Sequence, residues 1–328
     1  MGKKVTLQKI AEVCGVSISA VSAAFHRPRF VSKTLRERII QVAHELGYFY
    51  SAEIATIGLV FKSFRNHFQD AYYNEIIMCI LERASELNLN VRILDGLDIE
   101  NYAKIYDING YLIIGNDSAV HIAAVEKTHQ PFLLVGCTKN GTEKYRRIYS
   151  DPYQGMVELT EFVCNCRHRR LAVINAEADA LDFTWLRFKK GLADGLRRCG
   201  LPANALKIVP ASHQNLETAE IVLNKILSMK PRPTCIICIN DRFAYQLYKL
   251  LRHYGLQVPR DISLTGSDGI ALPGLEFDLS TVVDDRQEMG RRALDFLLSV
   301  LHNEKDLKKD IVLNKKFRVG KSVRRLSK

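Results

Sequence analysis

A chain of 328 residues, 47% hydrophobic and 25% charged, is long enough for two or three compact units with a substantial core. No apolar run reaches the ~18 residues of a membrane-spanning helix, and the opening MGKKVTLQKIAEV has no apolar signal core. A cytoplasmic protein with no membrane partner is therefore expected. The formal charge of +11 is uneven: residues 1–50 hold eight Lys/Arg against Glu12, Glu37 and Glu45, and residues 305–328 hold ten against Asp306 and Asp310. Basic ends around a near-neutral body point to a polyanionic partner.

Three helical patterns open the chain. Leu7, Ile10, Ala11 and Cys14 follow the i, i+3, i+4, i+7 rhythm, with Thr6 placed as N-cap. A tight turn follows at Cys14-Gly15-Val16-Ser17. Next comes SISAVSAAF, with Val21, Ala24 and Phe25 on one face. The third pattern starts at Ser32, runs through Leu35, Ile39, Val42 and Leu46, and closes at Gly47. Two short helices joined by a glycine turn, then a supporting helix, describe a helix-turn-helix unit. A net +5 over these fifty residues suits a DNA-binding head.

From residue 57 onward short apolar strands alternate with amphipathic helices. Strands are expected at 57–61, 91–96, 110–115, 131–136, 171–175, 235–240 and 262–267. Helices are expected at 73–88, 153–166, 184–199, 217–229, 241–254 and 286–302. This alternation is that of a parallel α/β domain, and its length suits two lobes. Ligands in such sheets sit beyond the carboxyl ends of the strands. Those ends carry Lys62, Asn116-Asp117, Asp151, Asn175, Asn240-Asp241 and Asp268, residue types that equally serve as helix caps.

Cys235-Ile-Ile-Cys238 and Cys164-Asn-Cys166 near His168 have metal-like spacing. In a strand, however, positions i and i+3 point to opposite faces. Buried thiols of a reducing compartment are the expectation, with no metal and no cofactor. The chain has no strand-borne GxGxxG, no GxSxG and no metal-spaced His pair. Gly320-Lys321-Ser322 lacks the upstream glycine of a phosphate loop, since position 315 is Lys. These absences argue against an enzyme using Asp241 or Asp268.

The stretch VTLQKIAEVCGVSISAVSAAFHRPRFVSKTLRERIIQVAHELGY resembles the head of the lactose/galactose repressor (LacI/GalR) family, down to the closing LGY. The resemblance implies that Ser17 to Phe25 lies in the major groove. By position, Thr6, Ser17 and Ser22 match phosphate contacts, and Ile18, Ser19 and Ala23 face base edges. Arg27 and Arg29 add phosphate contacts. Ala23 stands where the family usually has Arg, Ala20 where it has Thr, and His26 where it has Asn. Ile18 and Ala23 suit thymine methyls rather than bidentate base contacts.

The segment PTCIICINDRFAYQLYKLLRHYGLQVPRDISLTGSDGIALPG is likewise similar to the family's effector domain, as are Leu279-Ser280-Thr281-Val282 and Glu288-Met289-Gly290. The resemblance covers nearly the whole chain. It implies a periplasmic-binding-protein-like domain of two lobes joined by three crossing strands, a homodimer built through those lobes, and a palindromic operator. Its effector would be a small molecule of carbohydrate type. By position, Asp268, Asn240, Tyr72 and Tyr73 match effector contacts. Phe188 occupies the position of a usual Arg, so Arg187, one residue early, and Trp185, at the start of the same helix, are further expected effector contacts. Gly269 replaces a second Asp, and Gly136-Cys137 stands where many relatives have Val-Asp.

The expected organisation is an all-α helix-turn-helix head at 1–50, a linker at 51–56 and an α/β effector domain at 57–328. Lobe 1 would take about 57–157 and 284–312, and lobe 2 about 158–283 and 313–328. The joint FYSAEIAT replaces a longer family segment that folds into a hinge helix and wedges a Leu into the minor groove. It has no Pro, no Ala-Arg and no Leu, so a linker without hinge helix is expected. The function expected is that of a transcription regulator, in the sense of a repressor. The competing expectation is a cytosolic binding protein whose head grips DNA non-specifically.

Overall fold

The computed structural model describes residues 6–26, 31–46, 55–63, 70–94, 99–106, 108–176, 183–211, 215–302 and 304–327. The chain divides into two units, Met1–Ala55 and Thr56–Lys328. The expectation of a linker without hinge helix falls almost wholly on residues 47–54, outside the described residues; Thr56 already belongs to the first strand.

Among the described residues the first unit has three helices, α1 (Leu7–Cys14), α2 (Ile18–His26) and α3 (Lys33–Glu45). Thr6 caps α1, its hydroxyl accepting from the Lys9 N–H at 3.4 Å. Gly15 ends α1 at φ +66, a left-handed turn that glycine adopts without the cost a Cβ imposes. Ser17 then caps α2, accepting from the Ala20 N–H at 3.1 Å. Ile10, Val21, Ala24 and Ile39 are fully buried at the centre of the three helices. The Arg36 guanidinium donates to the Ala24 carbonyl at 3.2 Å and fastens α3 to the end of α2.

The second unit holds two six-stranded sheets. The first joins β1 (Thr56–Val60), β2 (Asn90–Leu94), β3 (Ile108–Ile114), β4 (Phe132–Val135), β5 (Arg147–Asp151) and β11 (Asp310–Asn314) in the order β11-β5-β4-β3-β1-β2. All its pairings are parallel. The second joins β6 (Leu171–Ala176), β7 (Leu206–Ala211), β8 (Cys235–Ile237), β9 (Ser263–Asp268), β10 (Ser280–Val283) and β12 (Lys316–Arg318) in the order β12-β10-β9-β8-β6-β7. It is parallel except for β12 against β10. Apolar clusters cover both faces of each sheet, as a parallel sheet requires.

Helices α4 (Ala71–Glu86), α5 (Ile99–Tyr106), α6 (Ile122–Glu126) and α11 (Arg286–Leu301) flank the first sheet. Helices α7 (Tyr153–Asn165), α8 (Phe183–Arg198), α9 (Leu216–Ser228) and α10 (Asp241–His253) flank the second. The chain crosses between the lobes three times: from β5 into α7, from β10 into α11, and from β11 into β12 through the single residue Lys315.

Each helix expected from the sequence lies within two residues of its observed position. The strand expected at 235–240 is shorter: only Cys235–Ile237 pairs, because Asn240 leaves the sheet to cap α10. Cys235 and Cys238 pack into different clusters, one beside α7 and α8, the other beside α9 and α10, so their thiols lie on opposite faces of the sheet. Strands β5, β7, β10, β11 and β12 and the short α6 carry no strong period in the sequence, and α5 has the helical rhythm at Ile99, Tyr102, Ala103 and Tyr106 over only eight residues. They are edges, short segments or strands with buried polar residues such as Arg147, whose guanidinium meets Asp310 at 2.7 Å.

A head of about 50 residues has roughly 2.5–7.5 kcal/mol of stability to lose, and Ile→Ala in a core costs ~2–5 kcal/mol. Ile39→Ala is therefore expected to unfold the head and abolish DNA binding. The melting transition of the second unit stays in place, because its cores are separate. Two-wavelength thermal melts check this; a downward shift of the larger transition refutes it.

Candidate functional site

The DNA-facing candidates lie along one face of α2. Ile18 and Ser19 are exposed, Ile18 at 49%, and Ser22 and Ala23, one turn on, are half-buried. The opposite face, Val21 and Ala24, is in the core. Ser17 has its hydroxyl 2.8 Å from that of Ser19 while it caps the helix. A helix N-terminus with two hydroxyls presents N–H donors and a positive dipole end to a phosphate. Thr6 is exposed at the start of α1. Arg27 and Arg29 lie outside the described residues.

In the second unit, the carboxyl ends of both sheets face a cavity of about 300 Å³. From lobe 1 come Asp70, Tyr72, Tyr73, Asn116 and Thr138. From lobe 2 come Trp185, Phe188, Asn240 and Asp268, with Lys315 at the crossing. Tyr72 and Tyr73 meet edge to face at 5.3 Å between ring centroids, and Trp185 and Phe188 lie 5.4 Å apart. The rim is bridged twice across the lobes, by Arg242 and Asp70 at 3.2 Å and by the Thr138 and Thr184 hydroxyls at 2.8 Å.

Helix α8 brings in the aromatic pair, and it lies unusually close to α7. A Cβ on Gly191 would meet the Tyr153 carbonyl and Met156, and one on Gly195 would meet Thr160 at 2.6 Å. Asn240 Oδ1 accepts from the Phe243 N–H at 2.8 Å, so the residue caps α10 while lining the cavity. Arg187 is turned elsewhere than its neighbours: its guanidinium binds Asp151 at 2.6 Å and lies over the Tyr153 ring. It thus braces the first crossing and is absent from the cavity wall, where Phe188 takes the place next to Trp185.

Below the cavity the three crossings are tied together. The Lys315 N–H donates to the Asp151 carbonyl at 3.0 Å. The Lys315 ammonium, buried, sits 3.1 Å from Asp284 and 3.4 Å from Asp268. Asp284 also accepts from the Tyr72 hydroxyl at 2.6 Å and from the Ser150 hydroxyl. Burial pushes Asp284 towards the neutral form, but Lys315 and the two hydroxyls more than offset this and hold it below the usual carboxylate range.

Asp268 goes the other way. Burial is the main cause, the charges of Asp241 and Asp284 add to it, and Lys315, closer to Asp284, only partly opposes them; its pKa is raised to about 8. The ammonium therefore serves chiefly as the counter-ion of Asp284, and Asp268 holds a proton at neutral pH. Its backbone sits at φ +130, a region costing a non-glycine residue ~1–3 kcal/mol. Behind it, Asp241 accepts from the Thr281 hydroxyl at 2.5 Å and the Ile270 N–H at 2.9 Å. Gly266 must lack a side chain there, because its Cβ would overlap the Asp241 carboxylate.

The sequence reading did not select Lys315, Asp284 or Asp70 as site residues. Lys315 sits in a run that reads only as basic, and its burial follows from the crossing of two strands that lack a strong sequence signal.

Residues 6–50 match the model of the lacI family of bacterial regulatory proteins, and residues 160–323, half of the chain, match that of a periplasmic binding protein-like domain. The ribose operon repressor of Haemophilus influenzae is 26% identical over 94% of this chain and 95% of its own length. A lacI-family regulator of Enterococcus faecium with bound ribose superposes with a TM-score of 0.69 at 18% identity, covering 83% of this chain and all of the other. The lac repressor dimer bound to operator and an anti-inducer gives 0.65 at 20% identity, over 98% of this chain and all of the other. The two structural likenesses carry the fold, and the two family models name the head and the domain that follows it: the chain belongs to the lacI family of bacterial regulatory proteins and is a DNA-binding transcriptional regulator.

Proposed function

We propose that this regulator is a cytoplasmic repressor that binds a palindromic operator as a homodimer and is controlled by a small hydroxyl-rich ring, a monosaccharide or close relative, held between the lobes. The observation that carries the effector reading is the pairing of Asp268 and Asn240 at adjacent strand ends with Tyr72, Tyr73, Trp185 and Phe188 around a cavity of about 300 Å³. Such a volume is at the small end for ligand sites, fitting one ring better than two. Polar groups at one end suit the hydroxyl edge of a sugar, and aromatic faces suit its C–H surface. The bound ribose of the Enterococcus structure and the name of the Haemophilus relative point the same way.

Apolar side chains exposed on both lobes support the dimer. Met78 and Ile105 on lobe 1 are 47% and 68% exposed, and Leu216 and Ile221 on lobe 2 are 51% and 63% exposed. Exposed apolar residues of this kind are what a homodimer interface consumes. Ile105→Asp with Ile221→Asp is expected to yield a monomer by light scattering, and retention of a dimer overturns this reading.

In the head, Ile18 is the largest side chain offered to a base edge. Ile18→Ala, at an exposed position, leaves stability within about 0.5 kcal/mol. It weakens operator binding by about 1 kcal/mol, roughly fivefold, through the lost methyl contact. Binding to random duplex stays the same. Footprinting upstream of the protein's own gene, with random competitor, tests it. A protected palindrome surviving competitor supports the regulator, and uniform salt-sensitive binding without a footprint favours the non-specific reading.

For the cavity, the single tryptophan, Trp185, is the reporter. Titration with a panel of monosaccharides is expected to change its emission for one or a few of them. Hydroxyl donors prefer a charged acceptor, so affinity should strengthen as pH rises through about 8, where Asp268 ionises. Asp268→Asn flattens that profile and weakens binding. The same substitution affects stability. Unfolded Asp268 ionises near 4, whereas the folded carboxyl keeps its proton to about 8. Wild-type stability contributed by this group is thus highest below pH ~4 and is lost progressively as pH rises to about 8. Asp268→Asn is expected to melt increasingly above wild type across that window. A binding profile unchanged from pH 6 to 9 in wild type, or a constant melting difference, removes Asp268 from this role.

A further inference from the structure

The basic carboxyl-terminal stretch belongs to a larger feature that the regulator's head and cavity leave unexplained. At the amino ends of β6, β8 and β9, on the side of the lobe-2 sheet away from the cavity, four segments lie side by side. They are residues 166–170, 230–234, 259–263 and 322–327. Their neighbourhood is fixed by hydrogen bonds: the Thr234 N–H to the Arg170 carbonyl, Ser263 to Thr234, Leu326 to Cys166, and the Arg324 N–H to the Ser263 hydroxyl. His168 pins the terminal segment from below, buried, with its ring 3.0 Å from the Arg324 carbonyl and 2.8 Å from the Thr234 hydroxyl.

The first segment supplies Arg167, Arg169 and Arg170, the second Lys230 and Arg232, the third Arg260, and the last Arg324 and Arg325. All but Arg167, which is half-buried, are exposed. The one carboxylate in the four segments is Asp261, and among the described residues only Arg260 forms an ion pair with it, at 3.2 Å. Several guanidiniums are instead held by backbone carbonyls: Arg169 by Cys164, Arg170 by Arg232, and Arg232 by Leu227. A guanidinium has five N–H donors, so this anchoring fixes the group and leaves donors directed to solvent.

We propose that this face is a second, sequence-independent binding surface for duplex DNA, separate from the head. Its chemistry selects that partner. A protein interface needs an apolar or aromatic centre, and apart from the buried His168 the four segments carry no aromatic residue. Single strands are held by aromatic stacking platforms, which are likewise missing here. What remains is an array of cations, several of them fixed by backbone carbonyls, which suits a phosphodiester backbone and gives no means of reading bases.

The test uses the full chain and a short random-sequence duplex, with affinity measured by anisotropy across a salt series. Combining Lys230→Ala, Arg260→Ala, Arg324→Ala and Arg325→Ala is expected to make the slope of log affinity against log salt shallower by about 3 to 4, at ~0.9 per phosphate contact. Random-duplex affinity falls on the order of tenfold or more at moderate salt, and the head's footprint keeps its boundaries. Replacing the three arginines by Lys keeps the charge and is expected to keep the slope, which separates charge from folding. A wild-type slope in the alanine variant overturns the proposal, and is the result expected if the patch faces an acidic protein. Loss of slope in the lysine variant, or tighter binding to single strands than to duplex, overturns it as well.

Discussion

The effector domain depends on one buried cation. Lys315 is the whole of the third crossing between lobes, and its backbone and side chain reach the other two, at Asp151 and Asp284. Taking an ammonium out of water costs several kcal/mol, and a buried pair is tolerated only when its geometry and extra hydrogen bonds offset that cost. Asp284 meets the condition because it has Tyr72 and Ser150 as further donors. Removing either partner would strand a buried charge, at ~3–5 kcal/mol. The two lobes are therefore joined by electrostatics as much as by chain connectivity. A ligand that hydrogen-bonds Asp268 acts on a carboxyl 3.4 Å from the ammonium that joins the crossings.

Asp268 shows where stability has been given up for a site. Its backbone is in a conformation that favours glycine, and its carboxyl stays protonated against its ordinary preference. Neither feature helps the fold. Both persist because β9 is held on either side by β8 and β10 and because Gly266 lets Asp241 pack directly behind it. The aromatic wall opposite is fixed in a similar way. Gly191 and Gly195 allow α8 to press against α7, so Trp185 and Phe188 project from a helix with little room to shift. A cavity built on such elements keeps its shape before any ligand arrives, which lowers the ordering cost of binding.

Much of this was legible in the sequence, and the physical reason is periodicity. The helices of the second unit carry strong apolar stripes, and the central strands are unbroken apolar runs, so both were placed to within a few residues. The head was legible through its caps, since Thr6, Gly15 and Ser17 each do at a helix end what their chemistry favours. Of the four edge strands only β2 was legible: β7 contains Lys207 and Pro210, and β11 begins at an acid. Nor was the charged core of the site. Lys315 and Asp284 are separated by thirty-one positions, and their meeting is a consequence of topology that no local pattern encodes. Arg187 illustrates the same limit, because one residue along a helix turns a side chain by about 100°, from the cavity wall to the first crossing.

On the two proposals above, the charge of +11 is used in two places rather than one. The proposed reading face of α2 has few long side chains, so what it would offer to bases is apolar and small, and its grip on DNA would rest more on phosphates than on base edges. Such a grip is steeply sensitive to salt and weakly selective. The terminal segment, which as a sequence reads like a loose basic tail, is instead folded into lobe 2, pinned by His168 and aligned with cations from three strand ends. The guanidiniums that backbone carbonyls hold, those of Arg169, Arg170 and Arg232, lose little entropy on meeting a phosphate chain, unlike a flexible tail. If the head alone selects weakly, additional phosphate contacts from the same chain raise affinity everywhere along DNA without altering preference. Selection would then rest on the few contacts of α2 together with the spacing of two heads in a dimer, and the effector would act by changing that spacing.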